Sequence, residues 1–210
     1  MEMYLHCEGI TDYAVICSLL KKAITNQELS VNWVKRDTLK GWITHRKHNF
    51  KLSGSHKMIT ALAAIALRDG NKNIAYHQDA DRKYDDRYKD ITSKFDKLKD
   101  KGFNCLAIVP KEMIESWVMA DRNAYPWEPK KPPLPHKPEE LWGKKDSEKH
   151  PKKYLENVLE QFHQTPSANI FSELIKKSDL DILKARCPKS FGQFYVDLQS
   201  FAAKAGAVEI

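Results

Sequence analysis

Four short apolar runs, each followed by a segment with helical spacing, constrain this chain more than any other feature. Residues 3–7 read as a central strand, and Gly9 permits a tight exit from it. Thr11 is a good N-cap for the next helix, with Asp12 as an early-turn acid. Between Tyr13 and Ile24 the residues Ala14, Val15, Ile16, Leu19, Leu20, Ala23 and Ile24 recur at helical spacing. Val31–Val34 predicts a second strand. The segment after it, up to Gly54, reads as a basic loop with Trp42, Ile43 and Phe50 interleaved. Ser55 can cap a helix from His56 to about Arg68, closed by Asp69 and Gly70. Asn73–His77 predicts a third strand. The helix expected over 85–99 places Tyr88, Ile91, Phe95 and Leu98 three to four residues apart. A fourth strand spans 104–109, and Lys111–Asp121 has helical spacing again. Parallel neighbours need a crossover long enough to hold a helix. This alternation therefore predicts an α/β fold, a Rossmann-like parallel sheet flanked by helices.

The pattern changes after Tyr125. Residues 126–138 contain six prolines, so 126–150 reads as an extended Pro/Lys-rich connection. From 151 to 210 the spacing is helical, with Tyr154, Leu155, Val158, Leu159 and Phe162 forming one stripe and Phe171, Leu174 and Ile175 another. The expected organisation is a 1–125 α/β domain and a helical C-terminal extension, 151–210, packed on it.

Composition narrows the class. With 41% hydrophobic and 30% charged residues, the chain can build a core under a heavily solvated surface. No apolar run approaches the roughly 18 residues needed to cross a bilayer. The N-terminus lacks the basic and apolar regions of a signal peptide, so no membrane partner and a cytoplasmic location are expected. None of the four cysteines forms a Cys-x-x-Cys pair, which argues against a zinc ribbon or a thioredoxin-like site. The net charge is +7. Much of it is local: between Lys21 and Lys57 nine Lys or Arg face only Glu28 and Asp37.

The chemistry lies at the strand ends. In parallel α/β sheets ligands bind beyond the carboxyl ends of the strands. Glu8 follows the first strand, Asp79 and Asp81 the third, and Glu115 the fourth. Converging carboxylates suit hard divalent cations, which activate water and stabilise a leaving oxygen in phosphodiester cleavage. Each acid also has a plain alternative. Asp79 and Asp81 can cap the next helix, and Glu8 can interact with a helix dipole. His6 and His77, just before the acids, read as buried hydrogen-bonded histidines, and Trp117 as a core residue.

Cys7-Glu8-Gly9-Ile10-Thr11-Asp12 resembles the Glu-Gly-x-Thr/Ser-Asp opening of TOPRIM domains, and His77-Gln78-Asp79-Ala80-Asp81 resembles their Asp-x-Asp motif. The segment 110–121, with Glu115, Trp117 and Asp121, is similar to small DUF4276-like TOPRIM proteins, as are 138–143 and 187–191. The chain carries no P-loop and no recognisable strand-passage domain. The resemblance is therefore to free-standing nucleases of the overcoming-lysogenization-defect (OLD) type. It implies a TOPRIM fold and Mg²⁺- or Mn²⁺-dependent nuclease chemistry, often as a prokaryotic or phage-defence component. Glu8, Asp12, Asp79 and Asp81 would be the catalytic and metal residues, with Glu115 as a further metal ligand. Implied partners are nucleic acid, DNA ahead of RNA, a separate ATPase subunit, and a second copy of the chain as a homodimer.

Lys35, Arg36, Lys40, Arg46, Lys47, Lys51, Lys57 and Arg82 form the expected nucleic-acid track. Trp42 or Phe50 could stack on a base, although a place in the core is the simpler expectation. Two other function classes fit the same residues. One is a non-catalytic module that binds nucleic acid or a partner. The other is a phosphotransfer enzyme acting on a small phosphorylated substrate.

Overall fold

A computed structural model describes residues 1–25, 28–45, 54–126, 133–144 and 147–205. Four strands, β1 (Glu2–His6), β2 (Ser30–Trp33), β3 (Asn73–His77) and β4 (Asn104–Ile108), form one sheet in the order β2-β1-β3-β4. Every pairing is parallel. The expected α/β class is therefore the observed one.

Strand alternation sorts the side chains into two cores. Met3, Leu5, Ala75, Leu106 and Ile108 enter one, and Tyr4, Ile74, Tyr76 and Ala107 the other. Successive side chains of a strand point to opposite faces, so a sheet covered on both sides needs apolar residues at nearly every position. Helix α1 (Ile10–Ala23) packs in the first core. Helices α2 (Arg36–His45), α3 (Gly54–Arg68) and α4 (Tyr84–Lys99) pack in the second. The strand order explains this division. The chain steps from β1 outward to β2, then back across β1 to β3 and on to β4. With right-handed crossovers that reversal moves the later helices to the opposite face.

The basic segment differs from the expected loop, because Arg36–His45 is helical. Leu39 is fully buried, and Trp42 and Ile43 pack against the second core, a spacing of three and four residues. The surrounding charge had masked that stripe. Trp42 thus takes the core role. Arg46, Lys47, Phe50 and Lys51 lie outside the described residues.

The helix expected over 111–121 is also shorter, since α5 covers only Glu115–Val118. The amides of Gln78, Ala80 and Asp81 donate to the carbonyls of Ile108, Pro110 and Glu112. Pairing with the continuation of β3 keeps the chain extended past Pro110, so a helix cannot start there. At the other end Asp121 accepts hydrogen bonds from the amides of Asn123 and Asp179, both 2.8 Å. Asp121 is thus a cap that ties two segments together.

Four further helices, α6 (Pro151–Glu160), α7 (Ala168–Lys177), α8 (Leu180–Arg186) and α9 (Ser190–Lys204), extend the first core. Helix α7 lies on α1, with Ser18 and Ser172 hydroxyls 2.8 Å apart. Helix α9 lies beside β4, where Asn104 Nδ2 donates to Phe201 O at 2.9 Å. The described part of the Pro-rich stretch also packs. Leu134 and Leu141 touch the first core. Glu139 is 4% exposed and accepts from Lys189 N, Ser190 N and Ser190 Oγ. It satisfies backbone donors that the start of α9 would otherwise leave unpaired. Among the described residues no helix is long and apolar enough to cross a membrane.

Candidate functional site

The sheet order places a switch point between β1 and β3, where connections leave in opposite directions. In doubly wound sheets the ligand crevice opens at the carboxyl ends of the strands there. The residues leaving β1 and β3 at that point are Cys7-Glu8-Gly9 and Gln78-Asp79.

Gly9, not Thr11, is the N-cap of α1, in an extended conformation. Its amide donates to Asp12 Oδ2 at 2.9 Å. Asp12 thereby turns back over the start of its own helix, toward the end of β3. His77, the last residue of β3, is 1% exposed. Its Nδ1 lies 4.0 Å from Asp12 Oδ2, and its Nε2 lies 3.3 Å from Asp79 Oδ1. These are ion-pair separations without hydrogen-bond alignment, so both imidazole nitrogens and Asp79 Oδ1 are buried without a hydrogen-bond partner. Glu115, on α5 after β4, is 5% exposed, and its Oε2 is likewise buried and unpartnered.

The electrostatics tie these groups together. Burial, followed by the charges of Asp79 and Asp12, pushes the Glu115 carboxyl up to about 7. Burial also raises Asp79; His77 opposes that rise, while Asp12 and Glu8 add to it. Burial pulls His77 down, but Asp79, Asp12 and Glu8 outweigh it and the net direction is up. The cluster has more negative charge than its one imidazole balances, so it takes up protons more readily than its parts would in water.

Glu8 belongs to the same field but lies on the other side. It lines a cleft of about 350 Å³ together with His6, Tyr76 and Gln78. Strand alternation gives the reason: Tyr76 faces the second core, whereas Ala75 faces the first. Asp12, His77 and Asp79 thus lie side by side with Glu115 within electrostatic reach, and Glu8 flanks them from the neighbouring cleft. Asp81 stands apart. It is exposed on a turn with φ of 46°, followed by Arg82 with φ of 72°. It lines a separate small pocket with Arg82, Glu112, Trp142 and His150.

The basic residues also divide. Arg36, Lys40 and Lys57 line the Glu8 cleft. Lys35 sits over the Trp33 ring, 5.4 Å from its centroid, and Arg82 stacks on Trp142. Sequence reasoning missed Arg87, which lines the cleft and whose Nε is buried without a partner. A signal was present. Arg87 falls at helical spacing within the buried stripe Tyr84, Ile91, Phe95 and Leu98, a costly place for a cation without a use.

The all-oxygen donors Asp12, Asp79 and Glu115, two with orphaned buried oxygens, fit a hard divalent cation better than a soft one. As placed, among the described residues, no group of three or more His, Cys, Asp or Glu is arranged to hold a metal ion. Binding would therefore require side-chain adjustment. The chain matches no family model, no curated protein and no solved structure.

The cluster makes stability fall as pH rises. A carboxyl raised from 4.5 to about 7 binds its proton more tightly in the folded state. Stability is then highest below the unfolded pKa and is lost progressively up to the folded one. Asp79 and His77 are raised too, so their contributions have the same sign. In chelator, we expect Glu115 alone to cost on the order of 3 kcal/mol between pH 4.5 and pH 8. Glu115→Gln should flatten that slope and exceed wild type in stability at pH 8, measured by urea unfolding. An unchanged slope would show that Glu115 is not buried among these charges.

Proposed function

We propose that this chain is a metal-dependent nuclease that hydrolyses phosphodiester bonds of nucleic acid, with Mg²⁺ or Mn²⁺ as its cofactor. One observation carries the reading. Carboxylates from three separate segments, two of them with buried and unpartnered oxygens, lie at the switch point beside a cleft lined by cations. Asp12, Asp79 and Glu115 would hold the metal, with Glu8 approaching from the cleft. The bound ion would supply an activated water and charge for the leaving oxygen.

The chain's own residues do the rest. The α1 cap fixes Asp12 through the Gly9 amide. Bonds from Gln78 and Ala80 to the β4 side hold the backbone on both sides of Asp79. Arg36, Lys40, Lys57 and Arg87 offer positive charge to the phosphate backbone beside Glu8. His77 lies between Asp12 and Asp79, whose charges favour its protonated form against burial.

The test is cleavage of labelled DNA and RNA by purified protein in Mg²⁺ or Mn²⁺, with and without chelator. Glu8→Gln is the paired control. The expected result is chelator-sensitive cleavage that the variant lacks. Equal cleavage by both proteins would place the activity elsewhere, and no cleavage by wild type on any substrate would end the nuclease reading.

A further inference from the structure

Arg36, Lys40, Lys57 and Arg87 face two acids, Glu8 and Asp90, across the cleft beside the carboxylate cluster. The lining is therefore net positive by two charges. The start of α3 opens on the same space through Gly54 and Ser55. The N-terminal end of a helix of this length carries the positive end of its dipole there. Asp90 is turned toward its neighbours: Ser55 donates to its carboxylate, and His56 Nε2 lies 3.1 Å away.

Independent of the helix end, the wall holds buried polar atoms that lack a protein partner. Tyr76 lines this wall and is 4% exposed. Gln78 Oε1 and Arg87 Nε are buried and unpartnered. Buried polar groups are normally paired, and a cluster of exceptions needs a ligand or water to complete it. Against the one acceptor, Gln78 Oε1, the lining sets the Arg36 and Arg87 guanidiniums, the Tyr76 hydroxyl and the Lys40 and Lys57 ammoniums as donors, which suits a phosphate more than a sugar or a base.

The charge decides which phosphate. An internal phosphodiester carries one negative charge, whereas a phosphomonoester carries about 1.5 to 2 near neutral pH. The excess of two positive charges favours the monoester. We propose that this cleft is a subsite for a terminal phosphomonoester, so that the protein engages phosphorylated ends of nucleic acid. The placement beside Glu8 rests on the nuclease reading, but the binding itself does not.

The test uses Asp79→Asn protein, which removes cleavage from the measurement. Fluorescence anisotropy would compare single-stranded 12-mers with a 5′-phosphate, a 3′-phosphate or hydroxyl ends, alongside a nucleoside monophosphate as competitor. We expect one phosphorylated end to bind about tenfold more tightly than the hydroxyl form. Arg87→Gln and Lys57→Ala, each checked for folding by thermal melting, should each remove that difference. Competition by the monophosphate supports the subsite as well. Equal affinity for all three oligonucleotides overturns the proposal, as does a preference that survives both substitutions. Cleavage by wild-type protein is scored separately. Its absence would count against the nuclease reading and leave end binding standing, and the converse pattern would do the opposite.

Discussion

If the chain is the proposed metal-dependent nuclease, Asp79→Asn should lower its cleavage at least about 100-fold while leaving the protein folded. Even the partners of metal ligands typically cost 10–100-fold when removed, and a ligand should cost no less. Asparagine keeps the shape of the side chain but removes a charge that burial, Asp12 and Glu8 all disfavour. In chelator, the variant should therefore melt no lower than wild type. That combination, lost rate with retained stability, separates chemistry from structure. Asp81→Asn provides the contrast. Asp81 faces the Arg82, Glu112 and Trp142 pocket, and asparagine tolerates its positive φ. Its rate should stay within about twofold, the scale of a surface substitution. A loss equal to that of Asp79→Asn would mean that the 81–82 turn rearranges to bring Asp81 into the site.

The largest stability effect is expected at Trp117. It is fully buried, its ring meets Phe191 edge-on at 5.2 Å and Phe194 at the same distance, and its Nε1 donates to Ser190 Oγ at 2.9 Å. Trp117→Ala should destabilise the protein by roughly 3–5 kcal/mol, because the cavity adds to the lost transfer energy. For a chain of this size each kcal/mol lowers the melting temperature by about 2–4 °C. Trp117 lies between the loop after β4 and the start of α9. The loss should therefore lower a single unfolding transition for the sheet and the C-terminal helices together, monitored by far-UV circular dichroism and tryptophan fluorescence. Two separated transitions, or a loss below about 1 kcal/mol, would show that α9 does not share one cooperative core with the sheet.

The two residues show different degrees of legibility in the sequence. The spacing of Trp117 with Met113, Ile114 and Val118 already marked it as a core residue, and it is fully buried although only Glu115–Val118 is helical. Asp79 follows a strand, and its position at a strand end was equally legible. Its companions were not. His77 read as an ordinary buried histidine, yet it sits between Asp12 and Asp79. Arg87 was hidden inside an amphipathic helix, although its place in the apolar stripe marked it. Leu39, Trp42 and Ile43 carried a helical period that the surrounding lysines and arginines obscured.

The sequence alone determined the class of fold, because strand and helix periods are local properties and their alternation admits few parallel topologies. It also determined that the acids follow strands. Only the tertiary structure decided which acids meet. Glu8 and Asp79 leave adjacent strands, yet Glu8 opens on the cleft lined by Tyr76 while Asp79 joins Asp12 and Glu115. Asp81, two residues beyond Asp79, is removed by a turn of positive φ. Convergence depends on strand order, on how far extended pairing runs past a strand's end, and on which face each crossover helix covers. Those are long-range relations that residue spacing does not encode.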